Sequence, residues 1–72
     1  MEQPTGDTLQ VTLLATSCKN GDCPSVYLSD RGTLVVQGDG VRAAQGMRLG
    51  SGEQAVEVPM SVIEEALRAL GR

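Results

Sequence analysis

Hydrophobic and polar residues alternate with a period of two over residues 8–16, after a start (residues 1–7) that has no periodicity. Such alternation is typical of a β-strand with one buried face. The apolar positions in phase are Leu9, Val11, Leu13 and Ala15. The pattern predicts a flexible tail over residues 1–7 and then a first strand, with Leu14 as the one large apolar residue on its other face.

A hairpin turn is predicted at Asn20-Gly21, because both central residues of a type I′ turn take positive φ and Asn-Gly suits this best. A turn centred there puts Cys18 opposite Cys23. Continuing the ladder gives the pairs Ala15–Val26, Leu14–Tyr27 and Leu13–Leu28. Apolar residues meet one another in each pair, which supports this register. Pro24 has no N–H to donate, so we expect the pairing to fray beside it.

A second turn is predicted at Asp30-Arg31-Gly32, which suits a three-residue hairpin loop with a left-handed glycine. This turn gives the pairs Ser29–Thr33, Leu28–Leu34, Tyr27–Val35 and Val26–Val36. The two registers agree and predict a three-stranded antiparallel meander. One face then carries Leu13, Leu28, Leu34, Ala15, Val26 and Val36, and the other carries Leu14, Tyr27 and Val35.

The middle of the chain has a less regular pattern. We expect Gly38-Asp39-Gly40 to break the chain, and residues 41–49 to form an irregular strand or one loose turn. Residues 55–58 alternate again and predict a short fourth strand, with Val56 and Val58 facing inward.

A helix is predicted over residues 60–70, directly after Pro59. Its apolar stripe at helical spacing consists of Met60, Ile63, Leu67 and Leu70. Ser61 and Glu64 have the spacing of a capping box, and Gly71 is a stop signal.

Together these elements predict a β-rich α+β fold: an antiparallel three- to four-stranded meander with one C-terminal helix, in a single domain over residues 8–72. A chain of 72 residues buries only about 60% of the surface that its unfolded form exposes. The helix can cover one sheet face, so Leu14, Tyr27 and Val35 need cover from residues 41–49 or from a second copy. Because small chains gain stability by oligomerising, we expect a homodimer.

The composition argues against catalysis. The chain has no histidine, so its serines lack the usual activating base. Asp39 lies between two glycines, but the Gly-Lys-Ser/Thr of a phosphate-binding loop does not follow. We therefore expect no enzymatic activity and no cofactor.

The charge pattern bears on partners and location. A net charge of −3 argues against extensive contacts between a lone chain and a phosphate backbone. Arg31, Arg42 and Arg48 would form a positive stripe only if they were paired in a dimer, and are otherwise solubilising charges. No apolar run approaches the ~18 residues of a membrane span, and the N-terminus lacks the pattern of a signal peptide. We therefore expect a cytoplasmic protein without membrane contact.

Cys18 and Cys23 allow three interpretations. Directly opposed positions in a hairpin approach disulfide separation, so the two cysteines could form a redox-sensitive pair. Their spacing lies at the edge of zinc-knuckle geometry, although a zinc site would need cysteines from two chains. Ordinary thiols that flank a turn are the third interpretation, which a reducing cytoplasm favours.

Residues 23–38, CPSVYLSDRGTLVVQG, resemble a family of small proteins of Streptomyces and related actinobacteria. The segment AVEVP (residues 55–59) and the helix after it also resemble that family, so the likeness covers roughly half of the chain. Such proteins are often encoded beside helix-turn-helix regulators. The resemblance implies an antitoxin-like or accessory role as the partner of such a regulator, and it assigns no catalytic residue.

A second likeness lies in residues 52–63, GEQAVEVPMSVI, which are similar to the strand–Pro–helix ending of swapped-hairpin antitoxin and transition-state regulator folds. Those domains dimerise through β-strands and bind DNA with basic residues. Glu57 stands where a basic residue is usual in them.

These observations predict a non-enzymatic regulatory protein that binds a protein partner. The predicted interaction residues are Leu14, Tyr27 and Val35 on the uncovered sheet face and Arg31 at the hairpin tip. Direct DNA binding by a dimer and a redox or zinc sensor built on Cys18 and Cys23 are the alternatives.

Overall fold

The computed structural model describes residues 8–18 and 23–71. Within these residues it contains five strands and one helix. They are β1 (Val11–Thr16), β2 (Ser25–Ser29), β3 (Leu34–Gln37), β4 (Asp39–Val41), β5 (Ala55–Glu57) and α1 (Met60–Ala69). The predicted tail over residues 1–7 and the predicted turn at Asn20-Gly21 lie outside the described residues.

The first three strands form an antiparallel sheet in the order β1-β2-β3, and α1 follows at the C-terminal end. The predicted β-rich α+β meander with a C-terminal helix is therefore confirmed. The fourth predicted strand does not extend the meander, because β5 pairs with β4 in a separate two-stranded sheet. The predicted break at Gly38-Asp39-Gly40 is accordingly wrong for its last two residues, which lie in β4.

Gly38 links the two sheets and allows a close backbone approach. A Cβ at this position would collide with the carbonyl oxygen of Glu57 and crowd the side chain of Val58. Only glycine fits here without a shift of the chain, so the passage from β3 to β4 depends on the missing side chain.

The register between β2 and β3 is the predicted one. The pairs are Ser25–Gln37, Val26–Val36, Tyr27–Val35 and Leu28–Leu34. The connecting turn contains Gly32 at a φ of 79°, as the predicted three-residue loop requires. The Ser29 N–H donates to the carbonyl oxygen of Thr33 at 2.8 Å and closes this turn.

The register between β1 and β2 is half right. Ala15 pairs with Val26 as predicted, but Leu13 pairs with Tyr27 rather than with Leu28. The shift occurs between Leu13 and Ala15, so Leu14 is the extra residue of a β-bulge. A bulge changes the side to which the following residues point, and it turns Leu14 toward the helix.

The hydrophobic core lies between α1 and the meander, and it is small. The buried apolar side chains are Ala15, Val26, Val62 and Ala66, and the half-buried Leu14, Val36 and Ile63 pack against them. The helix contacts β1 and β2. None of the four buried side chains is larger than valine, and two are alanines that let the helix approach the sheet closely.

The helix face that meets the sheet overlaps the predicted stripe only in part, since Ile63 of the stripe packs against the core. It begins at Met60 as predicted and ends at Ala69, one residue early. Val62 and Ala66 are its buried residues, whereas Met60 is 73% exposed and Leu67 is 42% exposed. The apolar arc of the helix is wider than its contact with the sheet, and the two buried residues at the contact are small.

The ends of the helix agree in part with the prediction. The predicted capping box is wrong, because Pro59 is the N-cap residue and Ser61 lies within the helix. The Pro59 carbonyl accepts the Val62 N–H at 3.1 Å, with no side-chain cap. Gly71 follows the last turn, and its N–H donates to the Arg68 carbonyl at 2.9 Å, so the predicted stop is confirmed.

The segment between β4 and β5 is open to solvent. Val41 ends β4, and every residue from 42 to 54 is exposed, with a turn at residues 45–46. This agrees with the loose conformation predicted for residues 41–49, none of which is buried. Val56 is exposed rather than inward, and Val58 is half-buried.

Candidate functional site: the uncovered sheet face and the cysteine pair

One row of apolar side chains crosses the meander on the face away from α1. Leu13, Tyr27 and Val35 are neighbours in the ladder of β1, β2 and β3, so their side chains share one side of the sheet. Leu13 is 51% exposed, and Tyr27 and Val35 are half-buried. We name these three residues the apolar row.

The apolar row lies in a face without formal charge. By the alternation of the strands, the same side also carries Val11, Ser25, Ser29 and Gln37. The Tyr27 hydroxyl donates to Oε1 of Gln37 at 2.8 Å, so the polar end of the ring has a partner within the face. Ser25 and Ser29 are buried, so the described part of this face offers mainly apolar side chains to a partner.

The structure corrects one predicted residue of this face. Leu14 packs against the core on the helix side, and Leu13 takes the position that the sequence analysis assigned to it. Tyr27 and Val35 are neighbours as predicted. Leu13 was missed because nothing in the alternation of β1 marks a bulge, and a regular strand puts Leu13 on the covered face.

Arg31 lies at the tip of the β2–β3 turn and is exposed, as predicted. The buried Ser29 shapes this turn, because its hydroxyl oxygen accepts the N–H groups of Arg31 and Thr33, both at 3.1 Å. The hydroxyls of Ser29 and Thr33 are also hydrogen-bonded at 2.6 Å. The turn that carries Arg31 is therefore held by a local hydroxyl network.

The other two arginines of the predicted positive stripe lie apart from Arg31 along the chain. Arg42 and Arg48 are exposed in the segment between β4 and β5, which belongs to the second sheet. The predicted positive stripe would have to join these two elements across a dimer.

Cys18 and Cys23 form a disulfide, with their Cα atoms 5.9 Å apart. The predicted opposition of the two residues across the hairpin is thus confirmed, and the interpretation as ordinary free thiols is wrong for this structure. Among the described residues, no group of three or more Cys, Asp or Glu side chains is arranged to hold a metal ion.

Hydrogen bonds surround the disulfide. The Cys18 N–H donates to the Thr16 hydroxyl at 3.5 Å, and the Thr16 and Ser25 hydroxyls are hydrogen-bonded at 2.9 Å. The Ser25 hydroxyl also donates to the Cys23 carbonyl at 2.8 Å. The two side chains therefore link the backbones of both cysteines. We name this set the Thr16–Ser25 network.

Comparisons with known proteins do not extend these observations: no family model, curated protein or solved structure matches the chain. Within residues 8–18 and 23–71, no helix is long and apolar enough to cross a membrane.

Proposed function

We propose that this protein is a non-enzymatic interaction module that binds a protein partner through the apolar row. The exposure of Leu13 beside Tyr27 and Val35, in a face without charge, is the observation that carries this proposal. Apolar sheet faces of this kind are recognition surfaces when a partner removes them from water.

The small core gives a physical reason for such a partner. The four buried apolar side chains are alanines and valines, while larger residues such as Leu13 remain exposed. Covering the exposed half of one leucine contributes about 1 kcal/mol, since full burial of such a side chain contributes roughly 1.5–3 kcal/mol. A partner on the apolar row would therefore add to binding and to the stability of the meander.

The partner that we propose is a helix-turn-helix regulator in the cytoplasm, and the protein itself associates as a homodimer. The likeness of residues 23–38 to small actinobacterial proteins encoded beside such regulators supports the first choice. The neutral apolar row supports the second, because two copies can meet there without opposing like charges when the regulator does not occupy the row. Arg31, exposed at the tip of the β2–β3 turn, is the proposed contact to an acidic group of the regulator.

Substitution of Tyr27 by aspartate tests the proposal. A carboxylate in the centre of the apolar row should abolish association with a second copy and with the purified neighbouring regulator, because its burial is costly. Leu67→Asp is the matched control, since it puts the same charge at an exposed apolar position on the helix. Light scattering gives the mass, and circular dichroism checks that both variants keep their fold.

Three outcomes of these measurements can be distinguished. Loss of the complex in Tyr27→Asp with retention in Leu67→Asp supports the proposal. Equal binding of the two variants contradicts it. Binding of the protein alone to duplex DNA, with affinity that falls steeply as salt is raised, would instead identify a DNA-binding dimer.

A further inference from the structure

The cysteine end of the β1–β2 hairpin is held together in two independent ways. The disulfide joins Cys18 to Cys23, and the Thr16–Ser25 network joins the same two strands without using sulfur. Ser25 is 1% exposed, so its hydrogen bonds are protected from water. The register at this end is therefore supported by hydrogen bonds that do not involve the sulfur atoms.

Pro24 explains why this end needs additional hydrogen bonds. The Ser17 N–H donates to the Pro24 carbonyl at 3.0 Å, but Pro24 has no N–H with which to donate in return. The regular strands end here, at Thr16 and Ser25, which agrees with the predicted fraying of the pairing beside Pro24. The hydroxyls of these two residues supply the cross-strand hydrogen bond that the ladder lacks beside the cysteines.

We propose that Cys18 and Cys23 form a reversible thiol–disulfide exchange site, whose substrates are external thiol–disulfide couples. Both cysteines are half-buried rather than enclosed. The closed loop is short, with a sequence separation of 5, so the bond restricts the unfolded chain little and is a weak staple. The proposal is independent of binding through the apolar row.

The exchange is balanced by the external couple. A thiolate of the reductant attacks one sulfur, breaks the Cys18–Cys23 bond and forms a mixed disulfide. A second reductant thiolate then attacks the sulfur of the first reductant molecule in that mixed disulfide and releases the protein cysteine. The protein gains two electrons and two protons as two thiols, and the reductant leaves as its disulfide. In the reverse direction an external disulfide accepts the two electrons, and the hairpin holds the cysteine thiols together for closure.

A redox titration against reduced and oxidised glutathione tests the site. The equilibrium gives the effective concentration of one cysteine thiol toward the other, in native buffer and in urea. Short flexible loops reach effective concentrations of about millimolar. We expect the effective concentration in the folded protein to be about tenfold higher than in the same chain unfolded in urea. We also expect the reduced protein to keep the circular dichroism of the meander.

A pair of threonine variants gives a matched control. Thr16→Val removes the hydroxyl of the Thr16–Ser25 network, and we expect it to lose most of the tenfold difference. Thr33→Val removes the hydroxyl that is hydrogen-bonded to the other buried serine, Ser29, at the far end of β2. This control variant should keep the tenfold difference in effective concentration. The two ends of β2 share no hydrogen bond among those described, so each threonine can be tested in a single variant.

Two results would overturn the proposal. One is unfolding of the meander on reduction, since the disulfide would then be a structural staple. The other is an effective concentration in the folded protein equal to that of the unfolded chain. If Thr16→Val does not fold, hydrogen exchange of the Ser17 amide in the reduced wild-type protein decides: protection supports the proposal, and its loss contradicts it.

Discussion

The two faces of the three-stranded sheet differ in which apolar side chains they bury. The face toward α1 contributes Ala15 and Val26 to the core, both buried. The opposite face carries the larger Leu13 and Tyr27 and has no helix over it. Large apolar residues are therefore not always the ones that a small protein buries within its own chain.

The difference follows from how closely two elements can approach. A helix with Val62 and Ala66 at its contact fits tightly against Ala15 and Val26, and tight contact maximises dispersion and excludes water. The bulge at Leu14 adds one larger side chain at the edge of this contact. Leu13, which is 51% exposed, remains on the opposite face, where a partner can cover it.

The largest expected effect is the difference in unfolding free energy between alanine variants of two valines on adjacent strands. Val26 is 0% exposed in the core, so Val26→Ala should lower the free energy of unfolding by about 2 kcal/mol through lost burial and a cavity. Val35 is half-buried on the opposite face, and Val35→Ala should cost about 0.5 kcal/mol. Urea denaturation of both variants measures the difference. Equal losses would show that the two faces do not differ in the free protein.

The two neighbouring leucines of β1 test the bulge. Leu14 packs against the core, so Leu14→Ala should cost about 1.5 kcal/mol, whereas Leu13→Ala should cost under about 0.5 kcal/mol in the monomer. Self-association should respond in the opposite order, with Leu13→Ala weakening it more. Denaturation at low protein concentration and light scattering give the two quantities. A larger loss of stability in Leu13→Ala than in Leu14→Ala would contradict the bulge and support the regular register that the sequence predicts.

The smallest effect concerns the hydroxyl of Tyr27. Its hydrogen bond to Gln37 is partly exposed, so Tyr27→Phe should lower the free energy of unfolding by about 0.5 kcal/mol. Association should remain, because the ring, which supplies the apolar area, is kept. Loss of the dimer in this variant, measured by light scattering, would mean that the partner binds the hydroxyl rather than the apolar row.

The parts of the fold that follow from neighbouring residues could be predicted. The β2–β3 register depends on the turn at residues 30–32, and the glycine required there is present in the sequence. The helix has a clear apolar arc and a stop at Gly71, so its existence and end could be anticipated to within one residue. Which part of the arc meets the sheet could not, since Met60 and Val62 are equally apolar as sequence positions.

The candidate site was predictable to a similar degree. Tyr27, Val35 and Arg31 lie where the pattern puts them, because all three belong to the β2–β3 hairpin. Leu13 replaces Leu14 because a bulge in β1 is decided by packing against α1. The opposition of Cys18 and Cys23 followed from turn chemistry, but their oxidation state did not.

The sequence by itself therefore determined the strands of the meander, the C-terminal helix and the facing cysteines, because periodicity and turn chemistry act between residues close in the chain. The tertiary structure decided the bulge at Leu14, the rotation of α1, the pairing of β5 with β4 and the closure of the disulfide. These features depend on how closely distant segments approach. That distance is set by the sum of many packing contacts, which no local pattern contains.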